Sequence, residues 1–308
     1  MADEGKSKIM KFGAVLFIVL MIGSLFVASV ALLVNNNPDN PNATNETNNS
    51  LYTVPMSEMP GKDINFTYTN LKDGVKHLPS GTVSAQIVNI YPTDNISTQV
   101  FPGTTISKVL IGSYPTGILE YYTVSDNNGN VTVYGNKSIG PQYDKYNNYS
   151  MLIVNPTPQY LVDGNPVLLS YPTTDLTKRA LDVNDGGTNV STNFDYILSK
   201  TDDVSNFEDM IVFRANDGSN YSQYYQRTSI LSNETYQLES VFINASAGVK
   251  QSITDRSVNG SSNGVTYKIS EDGDTFKFYI ESTNGVSFVS EVNALKEIIN
   301  NNTKSSSQ

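Results

Sequence analysis

The pattern of apolar and polar positions divides the chain into a membrane-like run, a polar segment and a long body of alternating residues. The first of these, FGAVLFIVLMIGSLFVASVALLV at residues 12–34, carries no charge over 23 positions. A helix of this length spans roughly 35 Å, and a bilayer core measures about 30 Å. The run therefore predicts one transmembrane anchor, preceded by a short N-terminal segment at residues 1–11.

The polar segment begins abruptly after the anchor. It starts as NNNPDNPNATNETNNS at residues 35–50, and both Asn and Pro oppose the continuation of a helix. Residues 35–61 are therefore predicted to be an Asn-rich stalk. We expect the folded part to begin near Ile64.

The body carries the pattern of β-strands. Runs rich in Val, Ile and Tyr end in turn-forming residues, as strands do. Asn128-Gly129 predicts a hairpin that joins residues 117–124 to the following VTVYG, and EDGD at residues 271–274 predicts another. The predicted strands lie at 82–92, 107–115, 117–124, 131–135, 149–154, 159–162, 166–171, 209–215, 236–244, 265–270 and 275–282.

Three segments have a helical period instead. In TTDLTKRALDV at residues 173–183, Leu176, Ala180 and Val183 lie on one helical face. NFDYILSK at residues 193–200 predicts a second short helix. A third is predicted at residues 286–300, where Ser287 is the expected cap and the apolar face consists of Phe288, Val292, Leu295 and Ile299.

These elements predict a β-rich α+β fold with mostly antiparallel sheets and a few short helices. The glycine-rich segment 184–192 is the predicted linker between β-rich subdomains at 62–183 and 193–300, followed by a tail at 301–308. The order strand, turn, strand, helix at 149–183 recurs at 265–300 with an offset of about 116 residues. The two subdomains are therefore interpreted as related by duplication, with chance similarity of α+β segments as the alternative.

The charges beside the anchor predict its orientation. Lys6, Lys8 and Lys11 precede the apolar run, and the next basic residue is Lys62. Since basic residues beside a span stay in the cytoplasm, residues 35–308 are expected to be extracytoplasmic. Two alternatives remain open: a signal peptide cleaved near Ser29-Val30-Ala31, and a pilin-like N-terminus cut near Gly13.

Glycosylation sequons agree with that topology. Asn-x-Ser/Thr occurs 14 times, about twice the frequency that composition predicts, and every copy follows the anchor. Acceptor sites must be translocated and exposed. The candidate acceptors are Asn42, Asn45, Asn48, Asn65, Asn95, Asn130, Asn136, Asn148, Asn189, Asn220, Asn233, Asn244, Asn259 and Asn301.

The composition argues against several classes of partner and of catalytic mechanism. A net charge of −10 argues against nucleic acid as a partner, because that requires a clustered positive surface. The absence of cysteine excludes thiol catalysis, disulfides and thiolate metal sites. His77 is the single histidine, so any catalytic triad or histidine metal pair would depend on it; a loop histidine without a catalytic role is the simpler interpretation.

The sequence contains no motif of nucleophile-elbow hydrolases, zinc proteases or nucleotide binders, so no catalytic, cofactor-binding or metal-binding residue is assigned. DVNDGG at residues 182–187 resembles a calcium loop only in part, since its glycine comes one position early and the bidentate Glu is missing. The clustered tyrosines of YDKYNNY and NYSQYYQR fit either a binding face or ordinary strands. A carboxylate pair could serve a hydrolase, with candidates Glu120, Asp163, Asp175, Glu208 and Asp209.

The segment KFGAVLFIVLMIGSLFVASVALL, the Asn-rich stalk and the cysteine-free exterior resemble uncharacterised, single-pass surface proteins of methanogenic archaea. The resemblance covers the anchor and stalk, and implies a cell-surface location and Asn-linked glycans. We expect a membrane-tethered domain that contacts the lipid bilayer through residues 12–34 and binds a protein or cell-envelope component without catalysis. The alternatives are an extracytoplasmic hydrolase acting on envelope polymer through a carboxylate pair, and an accessory domain of a larger membrane complex.

Overall fold

The computed structural model describes residues 50–90, 101, 104–125, 129–135, 141–154, 159–202, 208–214, 220–231, 233–260 and 264–304. These residues form sixteen strands and five α-helices. The helices are α1 (Leu71–Gly74), α2 (Thr174–Asn184), α3 (Ser191–Leu198), α4 (Ala247–Gly260) and α5 (Gly285–Lys304). The strands are β1 (Ser50–Pro55), β2 (Ile64–Asn65), β3 (Ser84–Asn89), β4 (Ile106–Tyr114), β5 (Gly117–Val124), β6 (Asn130–Gly135), β7 (Tyr143–Tyr146), β8 (Tyr149–Val154), β9 (Gln159–Val162), β10 (Gly164–Asn165), β11 (Val167–Tyr171), β12 (Glu208–Arg214), β13 (Gln223–Ile230), β14 (Tyr236–Ile243), β15 (Thr266–Asp272) and β16 (Thr275–Ser282).

One twelve-stranded sheet dominates the fold, in the order β15-β16-β14-β13-β12-β3-β4-β5-β11-β9-β8-β7. Every strand pair within it is antiparallel. Two small ribbons accompany it, β1 with β6 and a short parallel pair of β2 with β10. The predicted α+β class with mostly antiparallel pairing and few helices is confirmed.

One face of the sheet, which we call face A, is covered by α1, α2 and α3. Their apolar side chains, such as Leu71, Leu181 and Phe194, join one buried cluster with Leu110 and Tyr121 of the sheet. The predicted stripe of α2 is confirmed, because Leu176, Ala180 and Val183 are all buried. Face A therefore holds the largest single apolar cluster.

The opposite side, face B, has two separate covers. Val54 of β1 and Val131 of β6 belong to an apolar cluster with Val109 and Leu169 of the sheet. At the other end of the sheet, α4 and α5 pack on Phe276, Phe278 and neighbouring residues. The predicted apolar face of α5 is confirmed, since Phe288, Val292, Leu295 and Ile299 are all buried there.

The pairing of β3 with β12 joins the N-terminal and C-terminal parts of the sheet, with Ile87 opposite Met210. The predicted linker, residues 184–192, runs between α2 and α3 and is held by a hydrogen bond from the Val190 amide to the Leu78 carbonyl at 2.9 Å. From there α3 contacts both α1 and the strands β13 and β14. The two subdomains and their duplication stay predictions, although α2 packs on face A and α5 packs on face B.

Several local predictions are corrected. Among the described residues, β1 already forms at Ser50–Pro55, inside the predicted stalk and before Ile64. β6 pairs with β1 rather than returning beside β5, so the predicted hairpin is wrong. Seven elements were not predicted, namely β1, β2, β7, β10, β13, α1 and α4. The side chain of Asn284 accepts hydrogen bonds from the amides of Val286 and Ser287, so Asn284 and not Ser287 caps α5.

The predicted membrane anchor, residues 12–34, lies outside the described residues. Within the part of the chain that the structure describes, no helix combines the length and the apolarity needed to cross a bilayer.

A buried charge network crosses face A beside α3. The side chains of Arg227 and Glu239, which lie opposite each other on β13 and β14, are 1% and 0% exposed and form an ion pair of 2.8 Å. Lys277 of β16 contacts the same carboxylate at 2.7 Å and Asp202 at 2.9 Å. The hydroxyl of Tyr279 donates to Asp202 at 2.7 Å. Two acids thus neutralise two bases.

Hydrogen bonds within the network favour the charged forms of Asp202 and Lys277. Burial alone would raise the pKa of the Asp202 carboxyl, but hydrogen bonds from Lys277 and Tyr279 outweigh it and lower that pKa. Burial likewise opposes the charge of Lys277, yet its bonds to Asp202 and Glu239 raise its pKa. The network therefore ties the segment after α3 to three neighbouring strands.

We predict that Glu239→Ala lowers the free energy of unfolding by about 3–5 kcal/mol, because it leaves the buried Arg227 without its carboxylate. The matched control is Glu281→Ala, which removes the more exposed pair with Lys268 and is expected to cost about 0–1 kcal/mol. Urea denaturation measures both values. Equal losses in the two variants would contradict the assignment.

Candidate functional site

The strand β15 forms one end of the twelve-stranded sheet. Its inner side pairs with β16, and its outer side pairs with no strand among the described residues. All of its residues except Tyr267 are exposed. An edge strand of seven residues presents backbone donors and acceptors that another chain can use.

The C-terminal end of α4 lies next to the beginning of β15 and forms a shallow pocket with it. We call this region the β15 corner, and it comprises β15 with the pocket residues Ser257, Val258, Gly264, Val265, Thr266 and Tyr267. The side chain of Val258 is 74% exposed at the rim. The corner thus combines an open backbone edge with the exposed apolar side chain of Val258.

A clamp of three side chains holds the corner rigid. Arg256 of α4 donates two hydrogen bonds, of 2.7 and 2.6 Å, to the carboxylate of Glu291 on α5. The hydroxyl of Tyr267 on β15 donates to the same carboxylate. Burial would raise the pKa of Glu291, but the bonds from Arg256 and Tyr267 outweigh it and lower that pKa. One ionised carboxylate therefore fixes two helices and the edge strand.

Close packing reinforces the clamp. A Cβ atom on Gly260, the last residue of α4, would lie 2.5 Å from the Tyr267 ring. Only glycine allows α4 to approach β15 this closely.

The exposed strand carries charged side chains on both sides of one apolar residue. Lys268 contacts Glu281 at 3.1 Å, and Glu271 contacts Lys250 of α4 at 3.2 Å. Ile269 lies between these charges and is 36% exposed. Charged side chains on an edge strand limit unspecific pairing with other chains.

The five acids predicted as candidates for a carboxylate pair do not lie together in one site. Glu120 is buried and accepts a hydrogen bond of 2.8 Å from the hydroxyl of Tyr122, while Asp175 lies exposed in the first turn of α2. The side chains of Glu208 and Asp209 in β12 lie outside the described residues. Asp163 approaches an acid that was not among the candidates, Asp63.

Asp163 and Asp63 meet where β2 runs parallel to β10. The Ile64 amide donates to the Asp163 carbonyl at 2.9 Å, which brings the two acids beside each other. Burial raises the pKa of Asp163 to about 6; the Gly164 amide opposes the shift and Asp63 adds to it. A carboxyl with this pKa changes its charge in mildly acidic solution.

The remaining sequence candidates have structural partners. The ring of His77 stacks on Phe66 with 3.6 Å between centroids, and burial lowers the pKa of this histidine. In DVNDGG, Asp182 accepts from the Tyr146 hydroxyl and Asp185 from the Tyr149 hydroxyl, both at 2.8 Å. These carboxylates bind the β7–β8 hairpin to the end of α2.

The tyrosine clusters divide between core and rim. Tyr224 and Tyr225 are buried on opposite faces of β13, and Tyr149 is buried under α2. Tyr146 lies at the rim and is only partly buried. NYSQYYQR is therefore largely strand, which was one of the two predicted alternatives.

None of the sequon asparagines with a described side chain is buried. Asn189 and Asn220 are half-buried. Five others are exposed, namely Asn65, Asn148, Asn233, Asn244 and Asn259. Those at Asn42, Asn45, Asn48, Asn95 and Asn136 lie outside the described residues, as do the side chains of Asn130 and Asn301.

Sequence reasoning missed the β15 corner, although TYKISED contains a signal for it. Charges at Lys268, Glu271 and Asp272 occupy both alternating faces of one strand. A strand in the interior of a covered sheet does not tolerate that pattern, whereas an edge strand does.

We predict that Gly260→Ala costs about 1–3 kcal/mol of stability, because the added methyl group displaces the Tyr267 ring. The same substitution should cost less in a Tyr267→Ser background, where the ring is absent. Denaturation of the four proteins in this double-mutant cycle measures the difference. Equal costs in both backgrounds would show that the ring does not require glycine.

We predict that Asp163 contributes a loss of stability that grows as the pH rises from about 4 through 6, because folding favours the protonated form of its carboxyl group. Asp163→Asn keeps the acceptor for the Gly164 amide and removes the titration. The variant should therefore equal the natural protein near pH 4 and exceed it above pH 7 in thermal midpoint. A constant difference across this range would contradict the raised pKa.

Comparison with known proteins assigns no family. No protein-family model matches the chain, and no curated protein matches its sequence. Among solved structures, the chain is similar to crystal form I of TP0453, with 10% sequence identity and a TM-score of 0.40, over 74% of this chain and 99% of that chain.

Proposed function

We propose that the chain is a membrane-tethered, glycosylated extracytoplasmic domain that binds a protein or cell-envelope component without catalysis. The uncharged run at residues 12–34 and the lysines that precede it support the tether and its orientation. The single observation that carries the binding function is the β15 corner.

Binding at this corner would use strand addition. An extended segment of the partner pairs with the outer edge of β15, and backbone hydrogen bonds supply affinity. A side chain of that segment then contacts the shallow pocket beside Val258, which supplies specificity. The clamp of Arg256, Tyr267 and Glu291 keeps this edge in place before the partner arrives.

The positions of the sequons support a surface role. Each of the seven candidate acceptors with a described side chain is at least partly exposed. β15 itself contains no sequon, whereas the exposed sequon at Asn259 adjoins Val258, so a glycan attached there would lie beside the pocket of the β15 corner. The stalk, with three sequons in residues 42–50, would hold the domain away from the membrane.

The alternative function is a carboxylate-dependent hydrolase acting on envelope polymer. The observation that favours it is the pair of Asp163, with its pKa raised to about 6, and the neighbouring Asp63. Asp163 would be the proton donor and Asp63 the second carboxyl group. This pair lies beside the β2–β10 ribbon rather than at the β15 corner.

We predict that the detergent-solubilised full chain retains a reproducible component from solubilised cell envelopes. Ile269→Asp should reduce the retained amount at least about tenfold, since it adds a charge to the exposed binding strand. The matched control is Lys145→Asp on β7, the other edge of the sheet, which should leave retention unchanged. Quantitative mass spectrometry of the retained material measures all three samples.

Retention that is absent, or equally reduced by both variants, would contradict binding at β15. Release of soluble fragments from envelope polymer, abolished by Asp163→Asn and unaffected by Ile269→Asp, would instead support the hydrolase.

A further inference from the structure

The outer edge of β15 carries charges that are complementary to themselves. Lys268 and Asp272 lie four residues apart and therefore point to the same face of the sheet. Their side chains are 63% and 92% exposed. A second copy of the strand running antiparallel would present the same two charges in the reverse order.

Face alternation limits the possible registers. In an antiparallel sheet, residues directly opposite each other point to the same face. A symmetric pair of β15 strands must therefore have one residue opposite its own equivalent. The middle of the strand offers Lys268, Ile269, Ser270 and Glu271 as that central residue.

Charge selects among these four registers. Centring on Lys268 or on Glu271 places like charges directly opposite each other, which is destabilising. Centring on Ile269 places Lys268 opposite Ser270 and leaves no pair of opposite charges. Centring on Ser270 places Lys268 opposite Asp272 twice, once on each side of the axis.

We propose that β15 pairs with β15 of a second copy of this chain, antiparallel and centred on Ser270, so that two twelve-stranded sheets become continuous. The proposal rests on the proposed binding function of the β15 corner and identifies one partner as the chain itself. The interface is isologous, because both copies contribute the same surface.

The pairing extends interactions that each copy already has. Lys268 lies 3.1 Å from Glu281 on β16, and Asp272 of the second copy would continue this line of alternating charge on face A. On face B, the exposed Ile269 would lie opposite Glu271 of the second copy, whose methylene groups can cover it. The outer backbone groups of residues 268–272 gain hydrogen-bond partners.

Cysteine cross-linking tests the register directly, because the chain contains no cysteine. Ser270→Cys would place two thiols on opposed residues whose Cα atoms are about 4.5–5.5 Å apart, within the range of a disulfide. Ile269→Cys places its equivalents about 8 Å apart and Asp272→Cys roughly 14 Å apart, so both are controls. The full chain in mild detergent is oxidised and examined on a non-reducing gel.

Charge reversal tests the recognition independently. Lys268→Asp makes the edge wholly acidic at the two positions, and Asp272→Lys makes it wholly basic. Each variant alone should associate at least about tenfold more weakly than the natural chain, since like charges then face each other. An equimolar mixture should recover association, because each acidic edge meets a basic one. Analytical ultracentrifugation measures the dimer in each sample.

The expected results are a dimer band for Ser270→Cys alone and recovery of association only in the mixture. Preferential cross-linking of Ile269→Cys, or no recovery in the mixture, would overturn the proposal. A monomeric chain that still retains an envelope component through Ile269 would reject this pairing and leave the proposed function intact. A cross-linked dimer without any retained component would support this pairing and reject the proposed binding of an envelope component.

Discussion

The antiparallel pairing of β3 with β12 is the constraint on which the arrangement of the protein depends. Because side chains alternate along every strand, this one register decides which residues of both sheet halves share a face. It aligns Leu110 and Tyr121 with Arg227 and Glu239 on face A. A shift of one residue would expose one apolar cluster and bury charges under another.

The same alignment explains where polar residues are buried. Gln86, Glu120, Gln226 and Ser240 are buried in one row across face B, which also contains Ile111 of the cluster under β1 and β6 and Phe278 of the cluster under α4 and α5. Tyr122 donates to Glu120 and Tyr224 to Gln226. Face B therefore buries polar side chains beside its two apolar clusters, while the charge network lies on the opposite face.

The two edge strands of the sheet, β7 and β15, are held to the rest of the fold in different ways. At β7, the hairpin is held to α2 through Tyr146 and Asp182, with Tyr149 and Asp185 beside them. At β15, the clamp on Glu291 fixes the strand from behind and leaves its outer backbone open. A rigid, exposed edge needs little reordering when it pairs, which favours recognition by strand addition.

The local pattern of the sequence predicted the class, most strands, α2, α3 and the buried stripe of α5, because period and turn chemistry act between near neighbours. It also contained the uncharged run and the sequons behind the proposed topology. It did not predict that β6 pairs with β1, that Asp163 meets Asp63, or that β15 ends the sheet. Those facts depend on contacts between residues far apart in the chain, which only the folded register brings together. The sequence by itself determined which residues can form strands and helices; the tertiary structure decided which strand became the open edge, since edge position is a property of the whole sheet.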